Sequence, residues 1–234
     1  MRRFELILAF AAIFAVGWPV VFGTRPRRGI VAGLLAVAIV AQIQFEGFRW
    51  QMIPFYVVAA GLAVGDVFYL ERNMVWSTRL IRGILGTVGI LFAASLPVVL
   101  PVPEVPVPSG PEAIGSLTVD LIDRSRDELY GERPGGPREF VAQVWYPARA
   151  DATVEPLTWS EDWEVVAPAV AMNMGFPSWF LNHTRYSQSH ARAGLPMAGG
   201  SFPVVIYSHG WEGVRTIALN QIEHLVSNGY IVIA

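Results

Sequence analysis

Four long apolar segments near the start of the chain most strongly constrain how it can fold. Each carries few charged residues, and their bounds are 4–22, 30–43, 52–70 and 80–100. A run of about 20 apolar residues is long enough to cross the hydrocarbon core of a bilayer as a helix. The second segment is the shortest and reaches that length only with its polar flanks. We therefore predict an all-α transmembrane region of about four helices over residues 1–100.

The composition also indicates that part of the chain lies in a membrane. Of 234 residues, 53% are hydrophobic and 15% are charged, and the mean hydropathy is +0.42, which is too apolar for an ordinary soluble domain. Residues 1–103 hold nine arginines against four acidic residues, whereas residues 104–234 hold eight arginines against fifteen acidic residues. This division indicates two regions whose net charges have opposite signs.

The arginines between the apolar segments predict the orientation of the helices. Six lie in the first and third connections, against three in the N-terminus and the second connection. Because positively charged connections favour the cytoplasmic side, the N-terminus and everything after residue 100 should face the exoplasmic side. Arg2 and Arg3 oppose this orientation.

Two features inside these segments have structural and functional interpretations. The fourth segment and the Gly61/Gly65 pair place small residues on helix faces, which favours close packing within a bundle over a dimer interface. Asp66 is an acid well inside a segment, and such carboxylates often mark functional sites. Its position one turn before Glu71 and Arg72 favours an interfacial acid close to Arg72.

Residues 97–111 are dense in proline, which blocks helices and favours an extended, semi-rigid spacer. We therefore predict three parts: the transmembrane region at 1–100, a Pro-rich linker at 101–114 and a second domain at 115–234.

Alternating apolar and polar residues predict two strands after the linker, at 115–123 and 139–146. The polar connection between them indicates an antiparallel pair at a sheet edge. Further on, Thr158 and Glu161 have the spacing of a capping box, which would open a helix toward Met172.

A strand, a turn, a helix and another strand are predicted from residue 204 onward. Residues 204–207 and 230–234 are short apolar runs, typical of strands buried on both faces of a parallel sheet. Between them, an amphipathic helix is predicted from about Arg215 until Gly229. This order indicates a βαβ crossover and a sheet of about four strands.

The turn after the first of these two strands holds the candidate site residues His209, Gly210 and Trp211. Gly210 lets the chain turn tightly, and backbone N–H groups fixed in such a turn could stabilise an oxyanion. An ordinary strand-to-helix turn is the structural alternative. The sequence has neither of the glycine motifs that bind phosphate.

The strand, turn and helix resemble the oxyanion-loop region of α/β-hydrolases. Residues 143–148, which read Gln-Val-Trp-Tyr-Pro-Ala, resemble a strand end in the branch of platelet-activating-factor acetylhydrolases and dienelactone-hydrolase-like esterases. The resemblance implies that 115–234 is the N-terminal part of an α/β-hydrolase domain with a mixed, mostly parallel sheet. It also implies that Trp211 supplies a backbone N–H to the oxyanion hole, with His209 and Gly210 shaping the turn.

The family's Gly-x-Ser-x-Gly nucleophile motif is absent from the sequence. We therefore expect an N-terminal fragment of a membrane-anchored serine esterase, inactive by itself. The resemblance implies carboxylic esters as substrates, including phospholipids and short-acyl esters of the platelet-activating-factor type. The alternative is a non-catalytic membrane protein whose hydrolase-like domain serves binding or assembly.

The expected partners are the lipid bilayer and an ester or phospholipid substrate, with no nucleic acid, and the oligomeric state stays open. Cysteine is absent, and the four histidines lack metal-ligand spacing, so we expect no metal and no other cofactor.

Overall fold

A computed structural model of the chain describes residues 1–24, 26–68, 75–129, 134–151, 153–211 and 213–234. Contacts divide the chain into two units, Met1–Val102 and Pro103–Ala234. Some features of the sequence analysis lie outside the described residues. They are Arg25 of the first connection, the last two residues of the third apolar segment, the Glu71 and Arg72 neighbours of Asp66, and part of the connection between the first two strands.

The described residues of the first unit form four apolar helices. They are α1 (Arg3–Phe22), α2 (Ile30–Glu46), α3 (Ile53–Phe68), which follows a 3₁₀ turn at Trp50–Met52, and α4 (Trp76–Val99). By length and composition, Arg3–Phe22, Trp50–Phe68 and Trp76–Val99 could each cross a membrane, and α2 is a shorter apolar helix. Pro97 lies inside the last turn of α4, as the predicted segment 80–100 requires. Proline lacks only its own N–H, so within the final turn it removes one helix hydrogen bond without ending the helix.

Side chains from neighbouring helices satisfy the ends of the helices in this unit. The two carboxylate oxygens of Glu46 accept backbone N–H groups in the first turn of α1, at 2.8 and 3.2 Å. Asp66 accepts two backbone N–H groups at the start of α2, at 2.9 and 3.2 Å. Arg79 Nη2 donates to the Val20 carbonyl near the end of α1, at 2.8 Å. Each acid thus lies at the positive end of a helix dipole, and the guanidinium lies at a negative end.

The second unit is built around one sheet. Its strands are β1 (Ala113–Asp127), β2 (Pro137–Ala148), β3 (Pro156–Thr158), β4 (Gln188–Ala193), β5 (Val204–Ile206) and β6 (Ile231–Ile233). The helices are α5 (Trp163–Asn173) and α6 (Leu219–Ser227), with a 3₁₀ turn at Asn182–Tyr186. Within the described residues the strand order is β3-β4-β1-β2-β6-β5, so the sheet has six strands where about four were predicted.

The antiparallel pairing of β1 with β2 is confirmed, with Leu117 opposite Val144. Their predicted place at a sheet edge was wrong, because β4 and β6 flank the pair. The mixed sheet is confirmed, but "mostly parallel" is not, since three of the five pairings between described strands are antiparallel.

The predicted βαβ order is confirmed, because β5 and β6 are parallel and α6 lies between them in sequence. The predicted burial of β5 on both faces was wrong: Val204 is 56% exposed and Ile206 is 81% exposed. The strand lies at the end of the sheet and has one neighbour among the described strands. The helix begins at Leu219, four residues later than predicted, and Gly229 follows its end with φ +89°.

One face of the sheet carries α6. Ile222 and Val226 of the helix pack in one buried cluster with Trp145 of β2 and Val232 of β6. Trp145 is 1% exposed. This packing fixes the helix that follows the candidate turn.

Candidate oxyanion turn

The candidate turn begins where the pairing of β5 with β6 ends. The Tyr207 N–H donates to the Ile233 carbonyl at 2.8 Å, and the Gly213 N–H donates to the Gly210 carbonyl at 3.0 Å. The second bond closes a tight turn around Trp211, whose residue surface is 94% exposed. Among the described residues, the Trp211 N–H has no hydrogen-bond partner. A backbone donor is therefore presented at the carboxyl end of β5.

The His209 ring lies against the same turn. Its Nδ1 is 3.0 Å from the Gly210 carbonyl oxygen. Because a carbonyl oxygen only accepts hydrogen bonds, this contact requires the proton on Nδ1. His209 and Gly210 are both exposed. The three candidate residues thus form one continuous turn on the surface of the second unit.

A polar network ties the segment after the turn to the centre of the sheet. Arg215 Nε donates to Gln143 Oε1 at 3.1 Å, and its guanidinium forms an ion pair with Asp162. Gln143 is buried, and its amide donates to Ser116 Oγ at 3.0 Å. Backbone hydrogen bonds of 2.8 and 2.9 Å join Gln143 to Ala234 just after β6. The network therefore lies beside the carboxyl ends of the parallel strands, where open α/β sheets bind ligands.

Sequence reasoning missed this network, and one of its predictions there was wrong. Asp162, not Thr158, is the N-cap residue of α5, and the Thr158 hydroxyl donates to a backbone carbonyl at 2.7 Å. A signal was present in β2, because Gln143 shares the face of Trp145 two residues later. A polar side chain on a core face requires a partner. Nothing in the sequence named Arg215 as that partner.

A buried carboxylate holds the helix after the turn. Glu223 of α6 is 0% exposed. One of its oxygens accepts from Ser189 Oγ at 2.5 Å and from the His190 N–H at 2.8 Å. The other oxygen is 2.8 Å from His190 Nδ1. Since both partners belong to β4, the carboxylate joins α6 to the far side of the sheet.

The second unit has, within one mixed sheet, a strand, an exposed glycine-containing turn, a helix and a parallel strand, and α/β-hydrolase folds contain this order. Residues 115–234 match the family described as "Platelet-activating factor acetylhydrolase, isoform II". The chain belongs to this family.

Among solved structures, the chain is similar to a ferulic acid esterase from Streptomyces cinnamoneus, with 28% sequence identity and a TM-score of 0.45. The match covers 57% of this chain and 36% of that esterase, so this chain spans little more than a third of its length. No curated protein matches the chain.

Proposed function

We propose that this chain is part of a membrane-anchored carboxylic ester hydrolase in which the Trp211 N–H is one donor of the oxyanion hole. The observation that carries the proposal is that this N–H has no partner among the described residues and belongs to a residue that is 94% exposed, in the turn after β5. Acyl transfer places negative charge on the former carbonyl oxygen, and a fixed donor of this kind contributes about 10²–10³ in kcat. Membership of an acetylhydrolase family supports this role.

The other residues of the turn have supporting roles in this proposal. The His209 ring braces the Gly210 carbonyl. The bend itself does not require glycine at 210, because Gly210 is not among the glycines with positive φ and a methyl group added there would meet no atom within 4 Å. Arg215 fixes the end of the turn through Gln143 and Asp162. The serine nucleophile and its His and Asp partners are proposed to lie outside these 234 residues, since the sequence has no Gly-x-Ser-x-Gly. The proposed substrates are carboxylic esters, with short-acyl phospholipids among them.

Two substitutions at one position separate the backbone donor from the side chain. In the natural full-length protein in membranes, Trp211→Pro removes the N–H, whereas Trp211→Ala keeps it. With p-nitrophenyl acetate as substrate, we expect the proline variant to lose about 10²–10³ in kcat. The alanine variant should stay within about fivefold, because the indole is almost wholly exposed.

Near-UV circular dichroism of both variants checks that the second unit keeps its packing. Equal losses in the two variants would show that the side chain, not the N–H, matters. No hydrolysis by the unaltered protein would refute the enzyme proposal and favour a binding or assembly role.

We also propose that the four helices of the first unit anchor the protein, with the N-terminus and the second unit on the exoplasmic side. The helix-end contacts support the alternating directions of these helices, because they place the end of each of the first three helices beside the start of a neighbour. The orientation itself is proposed from the arginines of the connections. Single cysteines can be introduced without background, since the chain has none. In intact cells, an impermeant maleimide should label Val107→Cys and not Arg28→Cys, and the reverse pattern would contradict the proposed orientation.

A further inference from the structure

The Pro-rich segment before β1 lies against α6 and is bonded to the last residue of that helix. We call residues 103–112 the strap, and they belong to the second unit. The Gly110 N–H donates to Ser227 Oγ and the Glu112 N–H donates to the Ser227 carbonyl, both at 3.1 Å. Ser227 is 1% exposed. The second bond satisfies one of the carbonyls that a helix leaves without an internal partner in its last turn.

Side chains of the strap add further contacts with the helix. Val105 packs against the buried cluster that holds Ile222 and Val226 of α6. Ser109 Oγ lies 3.2 Å from His224 Nδ1. Four of the ten strap residues are prolines, whose fixed φ lowers the entropy lost when an extended segment is held in one conformation. The strap therefore holds α6 through both apolar and polar contacts.

The same helix is joined to the candidate oxyanion turn by consecutive tight turns. Three backbone hydrogen bonds, at 3.0 or 3.1 Å, close these turns: Gly213 to Gly210, Ile217 to Val214 and Leu219 to Thr216. Because each bond closes a turn of four residues, residues 213–218 follow the position of α6. Arg215 braces this segment from the sheet, and α6 braces it from its other end. A shift of α6 therefore moves the segment that carries the Trp211 N–H.

We infer that the strap, in addition to linking the two units, positions α6 and the turn that precedes this helix. A methyl group added at Gly110 would lie 2.0 Å from the Ser227 carbonyl oxygen, so this close approach requires glycine. Gly110 and Ser227 are thus positioning residues that act through the helix. The effect on catalysis rests on the proposed function, whereas the hold of the strap on α6 does not.

Hydrogen exchange of the full chain in detergent tests the hold on α6. Gly110→Ala forces the strap away from Ser227, because the overlapping atoms belong to the backbone. We expect the amides of Glu112 and of residues 225–230 to exchange about tenfold faster or more, which corresponds to about 1.4 kcal/mol and agrees with the loss of two hydrogen bonds. Gly199→Ala is the matched control, since a methyl group added there would meet no atom within 4 Å.

A second variant removes one contact without adding an atom. Ser227→Ala takes away the hydroxyl that accepts from Gly110 and keeps the carbonyl that accepts from Glu112. The same amides should therefore exchange about threefold faster, a smaller effect than that of Gly110→Ala. If Gly110→Ala accelerates exchange in β4 as well, the whole unit has been destabilised, and the result for Ser227→Ala decides.

Kinetics of the natural full-length protein in membranes test the position of the turn. With p-nitrophenyl acetate, Gly110→Ala should lower kcat about fivefold and leave KM within about twofold, because a displaced oxyanion donor weakens the transition state and not the bound substrate. Gly199→Ala should change neither constant by more than about twofold.

Unchanged exchange of residues 225–230 in both variants would overturn the inference, and so would equal effects of Gly110→Ala and Gly199→Ala. Faster exchange with an unaltered kcat would overturn the positioning of the turn. No hydrolysis by the unaltered protein would refute the proposed function instead, and the exchange experiment would still decide whether the strap holds α6.

Discussion

Replacing Glu223 with alanine should destabilise the contact between α6 and β4 by about 3 kcal/mol. Leaving one buried donor without a partner costs about 1–3 kcal/mol, and besides the His190 ring Glu223 accepts from two donors, the Ser189 hydroxyl and the His190 backbone N–H. Glu223 is fully buried, and Ser189, whose hydroxyl donates a hydrogen bond to the Glu223 carboxylate, is buried as well. The His190 side chain is 33% exposed, so water can replace part of its contact. The expected loss is therefore that of the two remaining donors, about 3 kcal/mol in total.

Hydrogen exchange of the full chain in detergent measures this loss where it occurs. A loss of about 3 kcal/mol corresponds to roughly hundredfold faster exchange for amides of α6 and β4 that open together. Glu164→Ala is the control, because it removes an exposed carboxylate from α5 and should change stability by less than about 0.5 kcal/mol. Less than tenfold acceleration in Glu223→Ala would refute the reasoning that this carboxylate holds the helix.

Two further predictions concern the central strands. A methyl at Gly115 would lie 2.4 Å from the buried Tyr146 ring, whose hydroxyl is held at 2.8 Å by a backbone carbonyl, so Gly115→Ala should cost about 1–3 kcal/mol in urea unfolding. Gly199→Ala, with no atom within 4 Å, should cost nothing measurable. The Ser125 hydroxyl and then a neighbouring guanidinium lower the pKa of Asp123 from 3.8 to about 2. Because the folded pKa is the lower one, its stabilising effect is present above pH 3.8 and is lost as the pH falls through about 2. A carboxyl NMR titration should show Ser125→Ala raising this pKa, and an unchanged midpoint would contradict the assigned cause.

The sequence predicted the elements with strong periodicity and missed those that depend on distant pairing. The four apolar helices and the β1/β2 pair have patterns long enough to recognise. In contrast, β3 is three residues long, and β4 reads Gln-Ser-His-Ala-Arg-Ala, without the β-branched or aromatic residues typical of strands. Both form strands because they pair with each other and because β4 pairs with β1.

The candidate turn could be located from residue order alone, but the groups that brace it could not. His209, Gly210 and Trp211 are consecutive, so a break in an apolar pattern reveals them. Arg215 and Gln143 are 72 residues apart, and the strand order of the sheet brings them together. A single sequence carries no signal of that order, whereas a polar residue on a core face does indicate that some partner exists.

The helix-end contacts of the first unit also have a consequence for biosynthesis. Three of the caps described there each come from a helix made later than the one it completes: Glu46 serves α1, Asp66 serves α2, and Arg79 serves α1 again. In the other direction, Arg2 donates to the Glu46 carbonyl at the end of α2. Arg79 lies 59 residues after the carbonyl that it satisfies. In the first helix to leave the ribosome, the backbone groups at the two ends therefore stay without these caps for longest. The last of its caps is present only when the start of the fourth helix has been synthesised.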